Sequence, residues 1–399
     1  MNEHSPNIPT RVGRGGSQSD LRRYNERVVL SALRRYPGLF NAELSRRTGL
    51  AAQTISVILR SLEEQRLIRR GDVLRGRRGQ PATPIYLNPQ GAYAFGCLLG
   101  WRQFDLVLCD LEGKVVVEES WRYAYPDPEE MIGQIAQSVG RLLERLPSNA
   151  RNRALRLGLA LPSAGVGDEG VKGVPRAVAA AWRERNVADE LSLRLEMPVR
   201  EIGDGAAACS AENRQVMAAY YSDFGYLHLG HTMSGGVVLG GRLFTGRGGK
   251  APDLGAMVVC THAGPRARAT DIAGSGELEA QLEAAGQQIP VSVGPDWDWQ
   301  TAGAPVERWS EAAGRALAQV IHNAQSVLDC GTFVIDGTLP PSLIDAVIVQ
   351  TRMAMGEQPA PPSGSVQLLQ GRLGASAAAM GAADLVLFET FFALLEPQS

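Results

Sequence analysis

The chain has 399 residues, 44% of them hydrophobic, and a formal net charge of −2 at pH 7. It is too long for one core and too apolar for a disordered polymer, so several folded domains are expected. Its five cysteines are widely spaced, with no CxxC pair and no secretory leader, which argues against a disulfide framework and for a reducing, cytoplasmic setting.

The near-neutral total hides a strong asymmetry. Residues 1–90 hold sixteen Arg, no Lys and seven acidic residues, a net +9, which leaves −11 for the remainder. A basic module joined to an acidic body is the footprint of phosphate binding by one part only. Residues 1–20, rich in Ser, Gly, Pro and Asn, read as a disordered tail. Residues 41–68 then read as a helix-turn-helix. A first helix spans Asn41 to Thr48, and Gly49 allows the sharp turn. Ile55, Ile58, Leu59 and Leu62 recur at helical spacing and face inward. Gln53, Thr54, Ser56, Val57 and Arg60 are left on the opposite face, the side that fits a major groove. The competing reading is an amphipathic hairpin used only for packing.

Leu67 to Arg70 and Val73 to Arg75 alternate around Gly71 and Asp72, which predicts a two-stranded wing. Arg77 and Arg78 follow between glycines, suited to a narrow minor groove; a charged linker explains them as well. Beyond Tyr93 the texture becomes α/β. Strands are predicted at 94–100, 104–110, 114–119, 155–162, 225–230 and 332–336, with an amphipathic helix at 128–146. The apolar run from Ala375 to Leu395 has the length of a membrane span, but Asp384 and Glu389 interrupt it and favour a helix in a soluble core, so no membrane association is expected.

Several motifs taken together resemble the ROK family of repressors, open reading frames and sugar kinases, and within it the sugar-responsive repressors. They are the helix-turn-helix, GRRGQP, CDLEGKVV at 109–116, LGLALPSAGVGDEG at 157–170, MPVREIGDGAAACSAE at 197–212 and YLHLGHTMSGGVVLGGRLFTGRGGKAPDLGAM at 226–257. The resemblance implies an α/β fold: an N-terminal winged helix-turn-helix followed by a two-lobed, actin-like (ribonuclease-H-like) body. The domains would be the tail to residue 20, the winged unit at 21–75, a linker at 76–90, lobe 1 at 91–205 completed by a helix at 379–396, and lobe 2 at 206–378.

Kinases of the family need a carboxylate base, glycine-rich phosphate loops and a zinc-supported sugar clamp. Asp204 matches the base, although Gly203 stands where an Asn is usual; Asp204 as a plain helix cap is the alternative. Gly100, Trp101 and Arg102 occupy the early phosphate loop, where bulky side chains oppose nucleotide binding; Gly230 to Gly236 keep only part of the next glycine and threonine pattern, and IDGTLP at 335–340 aligns with a third glycine cluster. The zinc-binding His is replaced by Ala256 and the three Cys by Thr270, Ile272 and Glu277. Cys260 and His262 alone do not complete a tetrahedral site. Asp253 and Glu279 match the remaining acids of the sugar clamp, which with Asp204 would form a polyol site; surface acids on an acidic body are the plainer reading.

These observations predict a non-enzymatic regulator with no catalytic residue, metal or cofactor. It would act as a homodimer or homotetramer on a double-stranded DNA operator, repressing carbohydrate uptake or catabolism genes under control of a sugar or sugar derivative. Two alternatives stay open: a ligand-blind platform for dimerisation or partners, and an ATP-dependent sugar kinase.

Overall fold

The structure, a computed structural model, describes residues 18–73, 83–162, 171, 174–246, 251–261, 264–288, 293–359 and 364–393. Residues 1–17 of the expected tail, Arg77, Arg78 and His262 lie outside them. The chain divides into two compact units, Met1–Asn88 with Glu389–Ser399, and Pro89–Phe388.

The first unit contains helices α1 (Gln18–Arg35), α2 (Asn41–Thr48) and α3 (Ala52–Glu64) and strands β1 (Ile68–Arg70) and β2 (Ile85–Leu87). Glu43 accepts the Phe40 backbone N–H at 2.9 Å and starts α2, which ends at Gly49 with φ 71°, the left-handed geometry that glycine adopts without strain. Ile55, Ile58, Leu59 and Leu62 are all buried, as their spacing predicts. The wing differs from expectation. β1 pairs antiparallel with β2, with Ile68 opposite Leu87 and Arg70 opposite Ile85; of the strand expected at Val73 to Arg75, Leu74 and Arg75 lie outside the described residues. Burial decides this: Ile85 and Leu87 are buried, Ile85 also bridges Leu39, and Val73 is exposed. Ile85–Leu87 thus forms a strand inside the stretch read as linker, and the first unit runs through Asn88.

The C-terminal residues of the chain belong to this same unit. Phe392 is fully buried, with the Arg34 guanidinium 4.6 Å above its ring. Ser31 Oγ both donates to the Ala393 carbonyl and accepts its N–H, each at 2.8 Å. Arg27 donates to the carbonyls of Phe392 and Glu389 at 2.7 and 2.9 Å, so a cation meets the end of the last helix, where the helix dipole favours it.

In the second unit, lobe 1 runs through β3 (Tyr93–Leu99), β4 (Gln103–Asp110), β5 (Val115–Arg122), α4 (Pro128–Arg145), α5 (Ser148–Arg151), β6 (Ala154–Leu161), α6 (Arg176–Arg183), α7 (Val187–Leu195) and β7 (Val199–Gly203). Its sheet order is β5-β4-β3-β6-β7. β3 and β4 are buried throughout, β3 as a continuous apolar run and β4 with Gln103, Asp105 and Asp110 buried among its apolar residues, whereas the edge strand β5 is half-buried and exposed. Helix α8 (Asp204–Gln215) leads into lobe 2, which contains β8 (Phe224–Leu229), β9 (Met233–Leu239), β10 (Arg242–Leu243), β11 (Val258–Cys260), β12 (Arg266–Arg268), α9 (Ala269–Ala273), α10 (Ser275–Ala284), α11 (Ala304–Leu328), β13 (Thr332–Gly337), α12 (Pro341–Gly356) and β14 (Gln367–Gln370). The second sheet has the order β10-β9-β8-β13-β14.

Helix α13 (Ala377–Phe391) lies against the lobe 1 sheet. The approach is possible only because β3 and β6 present glycines: a Cβ on Gly96 would sit 1.9 Å from the Ala379 carbonyl oxygen, and one on Gly158 2.1 Å from that of Ala382. Asp384 of this helix is buried with its carboxylate 2.8 Å from Arg214 Nε. No described helix is long and apolar enough to cross a membrane.

Candidate nucleic-acid interface and effector cleft

The face of α3 opposite its buried stripe presents Gln53, Ser56, Val57 and Arg60, all exposed, with Thr54 half-buried beside them. Ser56 Oγ donates to the Ala52 carbonyl at 3.0 Å, leaving its oxygen as an acceptor. Basic residues around this face differ in how they are engaged. Arg70 pairs with Glu63 at 3.1 Å, Arg47 lies 3.9 Å over the Tyr36 ring, and Arg69 4.8 Å over Tyr86. Arg22 reaches across to Ser61 Oγ, which donates to Glu26, so α1 and α3 are tied by a polar network as well as by their core.

In the body, Asp204 and Glu279 line one cleft, whereas Asp253 does not. Asp204 is the first residue of α8, with Gly203 as the cap, and its Oδ1 accepts the Gly205 N–H at 2.6 Å. Asp253 instead holds the Leu254–Ala256 turn by accepting the Gly255 N–H at 3.1 Å, and burial raises its carboxyl above the usual range. Sequence reading placed it with the other two acids; the structure gives it a capping task. Glu279 is raised by burial and drawn back by Arg102, whose Nη2 is 3.0 Å away. His228 and His231 line the same cleft, and burial lowers His228 to about 4, so it is neutral near pH 7.

The position of the early phosphate loop is a closed turn. Gly100 N–H donates to the Gln103 carbonyl at 2.9 Å, and Tyr123 Oη donates to the Gly100 and Gln103 carbonyls at 2.6 and 2.7 Å. Trp101 is buried in the lobe 1 core, so an indole fills space that a phosphate loop leaves bare. The positions matching zinc ligands have other tasks: Thr270 Oγ1 accepts the Met233 N–H at 3.0 Å, and Ile272 packs on the lobe 2 core. Among the described residues no group of three or more His, Cys, Asp or Glu is placed to share a metal ion. Sequence reading missed Arg122 and His231 as cleft residues and took Arg102 only as an obstacle. The local sequence carries no sign of their common partner.

Deeper in lobe 2, Glu212 accepts the Arg372 N–H at 3.2 Å, and burial together with the Asp336 charge pushes it up to about 7. The unfolded acid titrates near 4.5, so between these values the folded state holds more protons and stability falls as pH rises. Glu212→Gln is expected to flatten the decline in thermal midpoint between about pH 5 and 8, by scanning calorimetry. Identical pH profiles for the two proteins would refute a protonated Glu212.

A winged helix-turn-helix unit followed by two five-stranded lobes around a cleft defines a protein that joins a DNA-reading module to an actin-like body. The chain belongs to the ROK family, whose model matches residues 95–389, and a MarR family model matches residues 24–79. It is 26% identical over 370 residues to the uncharacterized protein y4fQ of Sinorhizobium fredii, covering 92% of each chain. It is 20% identical over 244 residues to the xylose repressor of Bacillus spizizenii, covering 61% of this chain and 62% of that one. Among solved structures, a ROK family transcriptional regulator described as a homologue of the E. coli MLC protein superposes with TM-score 0.67 at 18% identity, covering 93% of this chain and 98% of the other. A ROK glucokinase from Streptomyces griseus superposes at 0.53 and 19% identity, over 74% of this chain and 99% of its own. The two solved structures show the common fold.

Proposed function

We propose that the protein is a DNA-binding transcriptional regulator, a repressor of carbohydrate uptake or catabolism genes, controlled by a sugar or sugar derivative in the cleft between the lobes of its body. The observation that carries this reading is the exposed polar face of α3 on a winged unit within a segment of net charge +9. The presence of a repressor among its relatives supports it. It acts as a homodimer or homotetramer, because two recognition helices reading a two-fold operator require two copies. It is not an enzyme: Trp101 and Arg102 occupy the place of a phosphate loop, although sugar kinases share the fold. The small size of the cleft favours a second reading, a body that binds no small molecule and serves as a dimerisation platform.

The test is genome-fragment binding by the purified protein, sequenced, with sugars then added to the bound complex. Discrete symmetric sites beside transport or sugar-metabolism genes, released by one compound, are expected. Sites that ignore every compound would support the platform, and no specific sites would sink the regulator. Within those sites, Arg60→Ala is expected to relax preference at one base position by about 1–3 kcal/mol. Arg77→Ala is expected to weaken binding to all sequences alike, with a salt slope shallower by about 0.9. An unchanged base preference for Arg60→Ala in a binding-site selection would displace α3 from the groove.

A further inference from the structure

The cleft of the body is closed by its own side chains. Arg102, in the turn between β3 and β4, points Nε and Nη2 at Glu279 Oε2, at 3.1 and 3.0 Å, and its Nη1 donates to the Ala124 carbonyl. A second guanidinium, Arg122, donates to the Gln103 carboxamide at 3.2 Å, and Gly294 lies so close that a Cβ there would meet Arg122 Cζ at 2.6 Å. The space left is about 30 Å³, room for one or two water molecules and not for a sugar ring. A ligand that reaches Glu279 must therefore part it from Arg102.

That separation selects the ligand's chemistry. Glu279 is buried and Arg102 half-buried, and parting two such charges is unfavourable unless each finds a new partner. Glu279 keeps partners when Arg102 turns away: the Val293 N–H at 3.4 Å and His231 Nδ1 at 3.6 Å. Among the described residues Arg102 keeps the Ala124 carbonyl and the Tyr125 ring, both uncharged. A neutral polyol supplies donors to Glu279 and gives the Arg102 guanidinium only hydroxyls, whereas carboxylate or phosphate oxygens match its forked donors and can also reach Arg122, which stands near Asp105 and Asp296. Hydroxyls have partners as well. Asp204, Trp101 and His228 line the cleft, and Trp101 Nε1 and His228 Nδ1 are buried with no hydrogen-bond partner among the described residues.

We propose that the cleft binds an anionic polyol, with its carboxylate or phosphate held by Arg102 and Arg122 and its hydroxyls by Glu279 and Asp204. The inference rests on the reading of the body as an effector-binding regulator. It makes Arg102 both the latch of the cleft and the selector of what opens it.

Isothermal titration calorimetry on the full chain tests it, comparing glucose and galactose with glucuronate, galacturonate and the two hexose 6-phosphates, with acetate and inorganic phosphate as anions lacking the polyol. At least one charged hexose is expected to bind ten-fold or more tightly than its neutral parent and than either bare anion; the uronate and phosphate arms distinguish the source of the charge. Arg102→Gln and Arg122→Gln, each with native circular dichroism, are expected to shrink that preference below three-fold. A neutral hexose binding as tightly as its charged counterparts, a preference surviving both substitutions, or no binding across the panel would each overturn the proposal. Fluorescence anisotropy of bound operator on the same samples separates the two levels. Release by a neutral hexose overturns the anionic class and leaves the regulator standing; failure to bind any specific DNA fragment is a failure of the regulator reading itself.

Discussion

Phe392→Ala should destabilise the winged unit by about 3–5 kcal/mol, the range for truncating a fully buried aromatic side chain. The ring is one of the largest fully buried groups in the protein, and its removal also takes away the surface over which Arg34 lies. Typical domains are stable by only about 5–15 kcal/mol, so a loss of this size leaves the unit partly open near room temperature. Hydrogen exchange across α1 to α3 should accelerate by two orders of magnitude or more, and operator affinity should fall with it. Ser31→Ala removes both partners of the Ala393 backbone without emptying the core, so a smaller effect of about 1–3 kcal/mol is expected. Unchanged exchange in α1 to α3 of Phe392→Ala would show that the C-terminal residues contribute nothing to this unit.

Gly96→Ala should unfold or severely destabilise the body, at or beyond the upper end of the ~1–3 kcal/mol usual for overpacking. The added methyl carbon would lie 1.9 Å from the Ala379 carbonyl oxygen and 2.6 Å from the Ala383 nitrogen. Both are backbone atoms inside helix α13, so no side-chain rotation relieves the contact. The helix must move off β3, opening a gap along the lobe 1 sheet. Urea denaturation with far-ultraviolet circular dichroism reads the effect as a lower midpoint. A midpoint within error of the wild-type value would mean that α13 does not pack where the glycines permit. Gly331→Ala is the control, since a Cβ there meets nothing within 4 Å.

The two predictions concern features of unequal legibility. Strands β3, β4, β5, β6, β8 and β13 and helices α2, α3 and α4 follow from apolar runs, apolar period and turn residues, which are local signals, whereas β7, β9, β10 and β14 were not legible in that way. The stripe of Ile55, Ile58, Leu59 and Leu62 is the clearest case. The wing is different. Gly71 and Asp72 carry a tight-turn signal, yet β1 pairs with Ile85–Leu87, since two buried aliphatic side chains outweigh a local turn preference. Asp204 and Glu279 were legible as a pair by family resemblance alone, and Asp253 was misplaced because a carboxylate that caps a turn looks in sequence like one that meets a ligand. The Arg102–Glu279 contact was invisible for a simpler reason. Its partners are 177 positions apart, and neither side chain signals the other through any periodicity.

The winged unit is assembled from both ends of the described chain, residues up to Asn88 and residues from Glu389 onward, with the whole body encoded between them. A ribosome therefore delivers α1, α2 and α3 some three hundred residues before it delivers Phe392 and Ala393. Until then, the pocket bounded by Ser31 and Arg34 lacks the segment that fills it. Chains cut short by a premature stop or by a protease in the body carry the recognition helix without its last structural support. Such fragments are expected to hold a less stable winged unit than the whole chain does.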